Sequence, residues 1–303
     1  MSSPSSSVPA AGSARAWLLA TRPATLLVGL VPVMVGTALA HAAGTLRVGP
    51  ALGALWGSVF LQIGSNLAND VFDHEKGADT AERLGPMRVT QAGLLTPRQV
   101  KTGMVVSFAL AMIAGIYLTA VAGWPIVAIG LVSIAAAIAY TGGPYPLGYN
   151  GLGEVFVFVF FGLVAVPGTT FVQAGHVLPA AWLAALPVGA LASAVLLVNN
   201  VRDVDTDRVA GKRTVVVRFG RGVGVALYLA CVVLAGVVPV VMAGLGLATW
   251  WALLPLAVVP LGLRLWRTVG AERSGAVLNR ALAGTARMLF LFGVLFSIGL
   301  AQR

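Results

Sequence analysis

Two short stretches of the chain concentrate side chains able to bind a cation and an anion together. In QIGSNLANDVFDHEKGADTAERLGPMR, Asn66, Asp70 and Asp73 stand at i, i+4 and i+7; in NNVRDVDTDRVAGKRTVVVRFG, Asn199, Asp203 and Asp207 stand at i, i+4 and i+8. At about 100° per helical residue each trio lies along one face, and Asp205 falls off the second stripe. Carboxylates at a membrane are costly unless paired, hydrated or bound to a cation. Four of them in two groups suit a hard divalent ion, because Mg²⁺ takes oxygen ligands and commonly joins carboxylates to substrate phosphates. Lys76, Arg83 and Arg88 follow the first stripe and Lys212 and Arg213 the second, cations suited to the remaining phosphate charge. One such cluster is equally a solvated helix end. Two matched clusters with cations downstream point to a phosphorylated ligand bound through metal, with Asp70, Asp73, Asp203 and Asp207 as candidate metal-ligating and catalytic residues.

The elements that position these residues follow from composition. Of 303 residues, 58% are hydrophobic and only 10% charged, with a mean hydropathy of +0.91; soluble domains carry about 25% charged residues. A water-soluble enzyme is excluded, and the chain reads as an all-α polytopic membrane protein. Helices are required because a lipid-exposed backbone must satisfy its own hydrogen bonds. Apolar runs predict nine spans, at 24–43, 50–72, 99–122, 124–141, 151–173, 178–200, 222–243, 247–266 and 281–300. The uncharged Ser, Pro and Ala-rich residues 1–14 read as a disordered tail, leaving 15–303 as the membrane domain. The single cysteine, Cys231, excludes an intrachain disulfide and a cysteine-based metal site.

Under this nine-span reading, all but three of the 20 Lys and Arg fall on one side, which makes that side, and the N-terminus, cytoplasmic. All ten acids lie at the cytoplasmic ends of spans or in cytoplasmic loops, so polar chemistry belongs there too. The net charge of +10 is thereby explained by topology, and no nucleic acid partner is implied. His41 and His176 read as outer surface residues, and Glu154 as a helix N-terminal charge.

The segments NLANDVFDHEKGAD, LGPMRVTQAGLLTPRQ, YTGGPYPLGYNGLGE, FVFFGLVAVPGTTFVQ and NNVRDVDTDRVAGKRTVVVRFG together resemble the UbiA superfamily of intramembrane prenyltransferases. Within it they are most similar to the 1,4-dihydroxy-2-naphthoate prenyltransferases of menaquinone synthesis. The resemblance runs from TRPATLL (21–27) to the last span. It implies about nine helices around a central cavity, with the two acidic motifs facing each other across its cytoplasmic mouth. It also implies Mg²⁺ bound with a polyprenyl diphosphate, in a multi-pass protein of the cell membrane. Carried over by position, Asp70, Asp73, Asp203 and Asp207 match the acids. Asn66, Asn199, Lys76, Arg83, Arg88, Lys212, Arg213, Tyr140 and Arg22 form the substrate-binding set. Two departures stand out: His74 occupies the position where the wider superfamily often has its second acid, and Tyr145 stands where relatives commonly carry Lys or Arg.

The implied reaction is transfer of a polyprenyl group to the carboxyl-bearing carbon of 1,4-dihydroxy-2-naphthoate with loss of CO₂, giving demethylmenaquinone. Metal and cationic side chains stabilise the departing diphosphate, and the allylic cation must be shielded from water. Faces of Phe156, Phe158, Phe160, Phe161 and Phe171 are candidate stabilisers. The alternatives are a UbiA-type enzyme with another acceptor, a terpene cyclase, or a secondary transporter. Transporters place ion-binding carboxylates near the bilayer midplane on broken helices, whereas these acids cluster at one surface. No obligatory protein partner is implied.

Overall fold

The computed structural model describes residues 8–78 and 84–302, and every regular element among them is helical. In chain order they are α1 (Ala14–Thr21), α2 (Pro23–Ala42), α3 (Val48–Glu75), α4 (Pro97–Ala122), α5 (Pro125–Ala139) and α6 (Gly153–Ala174). Then come α7 (Pro179–Arg202), α8 (Val204–Val209), α9 (Val215–Phe219), α10 (Arg221–Gly244), α11 (Trp250–Ala271) and α12 (Gly275–Ala301). Before α1, the Gly12 N–H donates to Leu94 O at 2.8 Å, joining the end of the Ser-rich segment to the loop ahead of α4.

Seven of these, α2, α4, α6, α7, α10, α11 and α12, are long and apolar enough to cross a membrane. The two other expected spans have physical reasons for falling outside that set. The α5 helix is only 15 residues long, and α3, at 28 residues, carries polar and acidic side chains through its last three turns. Boundaries differ as well. The last helix begins at Gly275 rather than 281, which takes Arg280 into the helix. The helix carrying the first acidic motif continues past the expected span end at 72, through Glu75, and keeps Asp73 on the helical face with Asn66 and Asp70. Between α4 and α5 the break falls at Gly123, whose φ of 89° is open to glycine and strained for other residues.

The core is built around α7, most of whose residues from Ala181 to Arg202 are buried. It packs against α2, α6, α10 and α12. Glycines permit the closest approach: the α carbons of Gly189 on α7 and Gly162 on α6 are so near that an added Cβ on Gly189 would lie 2.6 Å from Phe158 O. Here α6 widens into a π-helical turn over Phe158–Val164, a local irregularity often found near functional sites. A second apolar cluster unites α1, α3 and α4 through Ala16, Leu67, Val71, Val100, Met104 and Phe108. The acids of α3 lie between these two packing units.

Candidate functional site

The first acidic motif is held by the helix that carries it and by the loop that returns over it. Asp70, 2% exposed, accepts hydrogen bonds from the backbone N–H groups of Val89 and Thr90, at 3.2 and 3.0 Å. Arg22 approaches the same carboxylate at 3.9 Å. It reaches there because it forms the corner between α1 and α2 in the left-handed region, φ 51° and ψ 71°, the one non-glycine residue with positive φ among those described. That conformation costs roughly 1–2 kcal/mol, and it is held by backbone bonds on both sides, Arg22 N–H to Leu19 O and Thr25 N–H to Arg22 O. Asp73, equally buried, accepts from Arg88 Nη2 at 2.6 Å and from the Tyr149 hydroxyl at 2.7 Å.

The second motif is not one continuous helix. The α7 helix ends at Arg202; Asp203 leaves helical geometry (φ −96°, ψ 10°), and α8 resumes at Val204. Backbone bonds nevertheless link the expected stripe: Asp203 N–H donates to Asn199 O at 3.0 Å and Asp207 N–H to Asp203 O at 2.7 Å. Asp203 and Asp207 are therefore buried while Asp205 is exposed. Arg202 clamps Asp203 through Nε and Nη2, at 2.7 and 2.5 Å, and also donates to Asn199 and Asn279 at 2.7 Å.

One ammonium group joins the two motifs. Lys212 Nζ lies 3.6 Å from Asp73 Oδ1 and 3.6 Å from Asp207 Oδ1. It also lies 4.8 Å from the centre of the Tyr149 ring, over which Lys76 Nζ stands at 5.2 Å. The Arg213 N–H donates to Tyr149 O at 2.6 Å. Tyr149 thus touches both acidic motifs through its hydroxyl, its ring and its carbonyl. Burial pushes the Asp207 carboxyl up to about 6, against the pull of Lys212 and with help from the nearby Asp203 and Asp73. Burial lowers the Lys76 ammonium, with Asp73 opposing.

The remaining expected residues divide. Asn66 is buried but turned to the α1–α2 corner, donating to Thr21 O and Thr25 Oγ1 at 2.8 and 2.9 Å and accepting from Gln62. Asn199 accepts from Arg202, so both asparagines hold the protein's own groups. Tyr140 caps α5 and packs against Gly148 and Gly153. Lys76 donates to Gly143 O at 3.1 Å, and the Arg213 side chain is exposed. Arg83 lies outside the described residues. Glu154 pairs with Asn200 at 2.7 Å across α6 and α7, so it does more than complement a helix end. Tyr149 and Arg202 escape a reading by acidic stripes. Arg202 adjoins Asp203 in sequence, and that adjacency is the signal that could have found it; Tyr149 lies far along the chain from both stripes, and only the packing of separate segments reveals its contacts.

Mg²⁺ can be tested against this donor set. Among the described residues no three Asp, Glu, His or Cys side chains converge closely enough to hold an ion unaided. Mg²⁺ usually takes one or two carboxylates and completes its shell with waters and phosphate oxygens, so pairs of acids suffice. Asp73 and Asp207 already share the Lys212 ammonium as a cationic ligand. The donors are hard oxygens, and the residues fit the ion.

The sequence matches the UbiA prenyltransferase family over residues 29–298. It is 39% identical to the 1,4-dihydroxy-2-naphthoate octaprenyltransferase of Escherichia coli (strain K12) over 94% of this chain and 95% of that one. It is 40% identical to the enzyme of the same name from Mycobacterium leprae, over 92% and 93%. The fold is similar to that of a UbiA homolog from Aeropyrum pernix K1, with a TM-score of 0.69, 13% identity and coverage of 89% and 98%. A UbiA homolog from Archaeoglobus fulgidus bound to DMAPP and Mg²⁺ aligns with a TM-score of 0.62 at 15% identity, over 93% and 99%. Buried paired acids, bridging cations and an all-helical membrane frame are thus accompanied by sequence likeness over nearly the whole length: the chain belongs to the UbiA prenyltransferase family and is a membrane prenyltransferase.

Proposed function

We propose that this enzyme transfers a polyprenyl group from polyprenyl diphosphate to 1,4-dihydroxy-2-naphthoate with decarboxylation, at the cytoplasmic face of the cell membrane. The observation that carries this reading is the meeting of Asp73, Asp207, Lys212 and Tyr149 at one point. It supports a site for a diphosphate and metal together, and relatives at 39–40% identity carry this acceptor in their names. Asp70, Asp73, Asp203 and Asp207 are the residues that would hold Mg²⁺, which when bound supplies positive charge to the departing diphosphate.

The protein's own part is to bind and orient. Lys212, held between two carboxylates, would offer its ammonium to the phosphate oxygens of a bound diphosphate; Lys76 adds a second ammonium over the same aromatic ring. Arg88 and Arg22 fix Asp73 and Asp70 in orientation, so little reorganisation is needed as charge develops. The allylic C–O bond breaks with its electron pair leaving on diphosphate, and the acceptor ring carbon forms the new C–C bond. The bond to the carboxylate then breaks, its electrons restore the aromatic ring and CO₂ departs. A deprotonated carboxylate makes this last step independent of a protein base. The immediate product is the quinol, demethylmenaquinol, and its oxidation gives demethylmenaquinone.

The test is a mass-spectrometric product assay with 1,4-dihydroxy-2-naphthoate, a long prenyl diphosphate and Mg²⁺. A prenylated product lacking the carboxyl group, with CO₂ and diphosphate released in equal amounts, is expected. Turnover with a different aromatic acid and none with this one would overturn the acceptor, leaving the prenyl transfer intact.

A further inference from the structure

Beside the α1–α2 corner, α1, α3 and α4 line a groove of about 620 Å³ whose walls take no part in the chemistry above. Its walls are apolar: Trp17 of α1, Phe60, Ile63 and Leu67 of α3, and Val106 and Leu110 of α4. Trp17 lies directly on α4 because residue 103 is glycine; a Cβ there would stand 2.7 Å from the indole ring. One end is polar, formed by Arg98, Gln99 and Thr102 in the first turns of α4. A second hollow of about 460 Å³ flanks the same residues, sharing Arg98, Thr102 and Val106 and adding Lys101. From Arg98 to Leu110 the α4 wall rises about 18 Å at 1.5 Å per residue, the reach of an extended acyl chain.

We infer that this pair of grooves binds an anionic phospholipid, with the headgroup phosphate at Arg98 and its two chains along the hollows on either side of Thr102 and Val106. Charge complementarity selects the lipid. Lys101 is already paired with Glu75 at 2.6 Å, whereas the exposed Arg98 guanidinium has no side-chain partner among the described residues. The α4 N-terminus, closed by Thr96 and Gln99 in a capping box, adds positive potential at the same point. A prenyl diphosphate is the poorer occupant. Its headgroup requires the acids, and Asp70 and Asp73 are engaged by Val89, Thr90, Arg88 and Tyr149, none of which lines the groove. Trp17, at the polar end, suits the membrane interface.

The experiment uses the full-length enzyme in nanodiscs, with lipids brominated in their acyl chains as contact quenchers. The Trp17 signal is obtained as the difference between wild-type and Trp17→Phe fluorescence. Brominated phosphatidylglycerol is expected to quench Trp17 at least about twofold more than brominated phosphatidylcholine at equal mole fraction. Arg98→Gln should abolish that preference, and Arg47→Gln, on the opposite face, should retain it. Prenyl transfer by each variant reports that it is folded, and the lipid readout is independent of the acceptor. Equal quenching by the two lipids, or a preference that survives Arg98→Gln, overturns the inference. Displacement of the brominated lipid by a long prenyl diphosphate would overturn it as well, by making the groove a substrate site.

Discussion

Asp203 and Asp205 are two residues apart and opposite in setting, one clamped by Arg202 and the other 89% exposed at its side chain. Asp203→Asn should lower turnover by ~10²–10³ or more, the loss expected when stabilisation of developing charge is removed, while Asp205→Asn retains most activity. Steady-state rates at limiting Mg²⁺ decide this, and a dead Asp205→Asn beside an active Asp203→Asn would refute the assignment. Tyr149 gives a finer test. Tyr149→Phe removes the hydroxyl bond to Asp73 but keeps the ring beneath Lys76 and Lys212. It should raise the Mg²⁺ needed for half-maximal rate several-fold with little change in KM for prenyl diphosphate. Tyr149→Leu should raise that KM as well, by about 3- to 10-fold if the ring contacts are worth ~0.7–1.4 kcal/mol. Asp207 carries a cost that is visible in pH. Its carboxyl is raised to about 6 from an ordinary 3.8, so the folded state binds the proton more tightly than the unfolded one, and stability is lost as pH rises through 6. In chelator at pH 7.5, Asp207→Asn should therefore be more stable, by on the order of 2 kcal/mol, with the advantage roughly halved at about pH 5 and vanishing only below about pH 4, as turnover stays abolished. Equal melting curves for the two proteins at pH 7.5 would refute the burial cost.

Among the helices, α3 and α7 show how far periodicity carries and where it stops. The i, i+4 and i+7 spacing placed Asn66, Asp70 and Asp73 on one face, yet within that face Asn66 turns to the α1–α2 corner and the aspartates to the loop. In the second motif the stripe survives a break at Asp203 because the i→i+4 backbone bonds continue through it. The span count was less legible: α3 trades apolarity for its acids and α5 is short, so hydropathy alone separates seven helices from the rest. Packing between α6 and α7 yields a prediction of its own. Gly189→Ala directs its methyl at the backbone of Phe158, which cannot rotate away, and should cost about 1–3 kcal/mol by overpacking. Gly130→Ala in α5 meets nothing within 4 Å and should be neutral or stabilising by up to ~1 kcal/mol. Thermal unfolding in detergent separates the two. Equal losses would mean the contact is not as close as it stands.

The molecule as a whole must put both acidic loops on one side of the membrane, because Lys212 reaches Asp73 as well as Asp207. Combined with the basic excess on that side, this predicts cytoplasmic behaviour for reporters inserted at residues 84–96 and 208–214. A reporter fused after the last residue should be external, since the nine-span reading separates the ends by an odd number of crossings. Opposite behaviour of the two acidic loops would dismantle the shared site, and a cytoplasmic C-terminus would revise the crossing number alone.

Helical type, membrane residence and the identity of the paired acids were determined by the sequence alone, because hydropathy, 3.6-residue periodicity and charge are local properties read along one strand of chain. The tertiary structure decided which polar groups meet. Tyr149 became the junction of the two motifs, Asn279 the distant partner of Arg202, and Glu154 the partner of Asn200. Those pairings depend on how helices separated by many residues pack side by side. A buried hydroxyl or guanidinium finds its partner through that packing, and nothing in its immediate neighbours in sequence specifies which partner it will be.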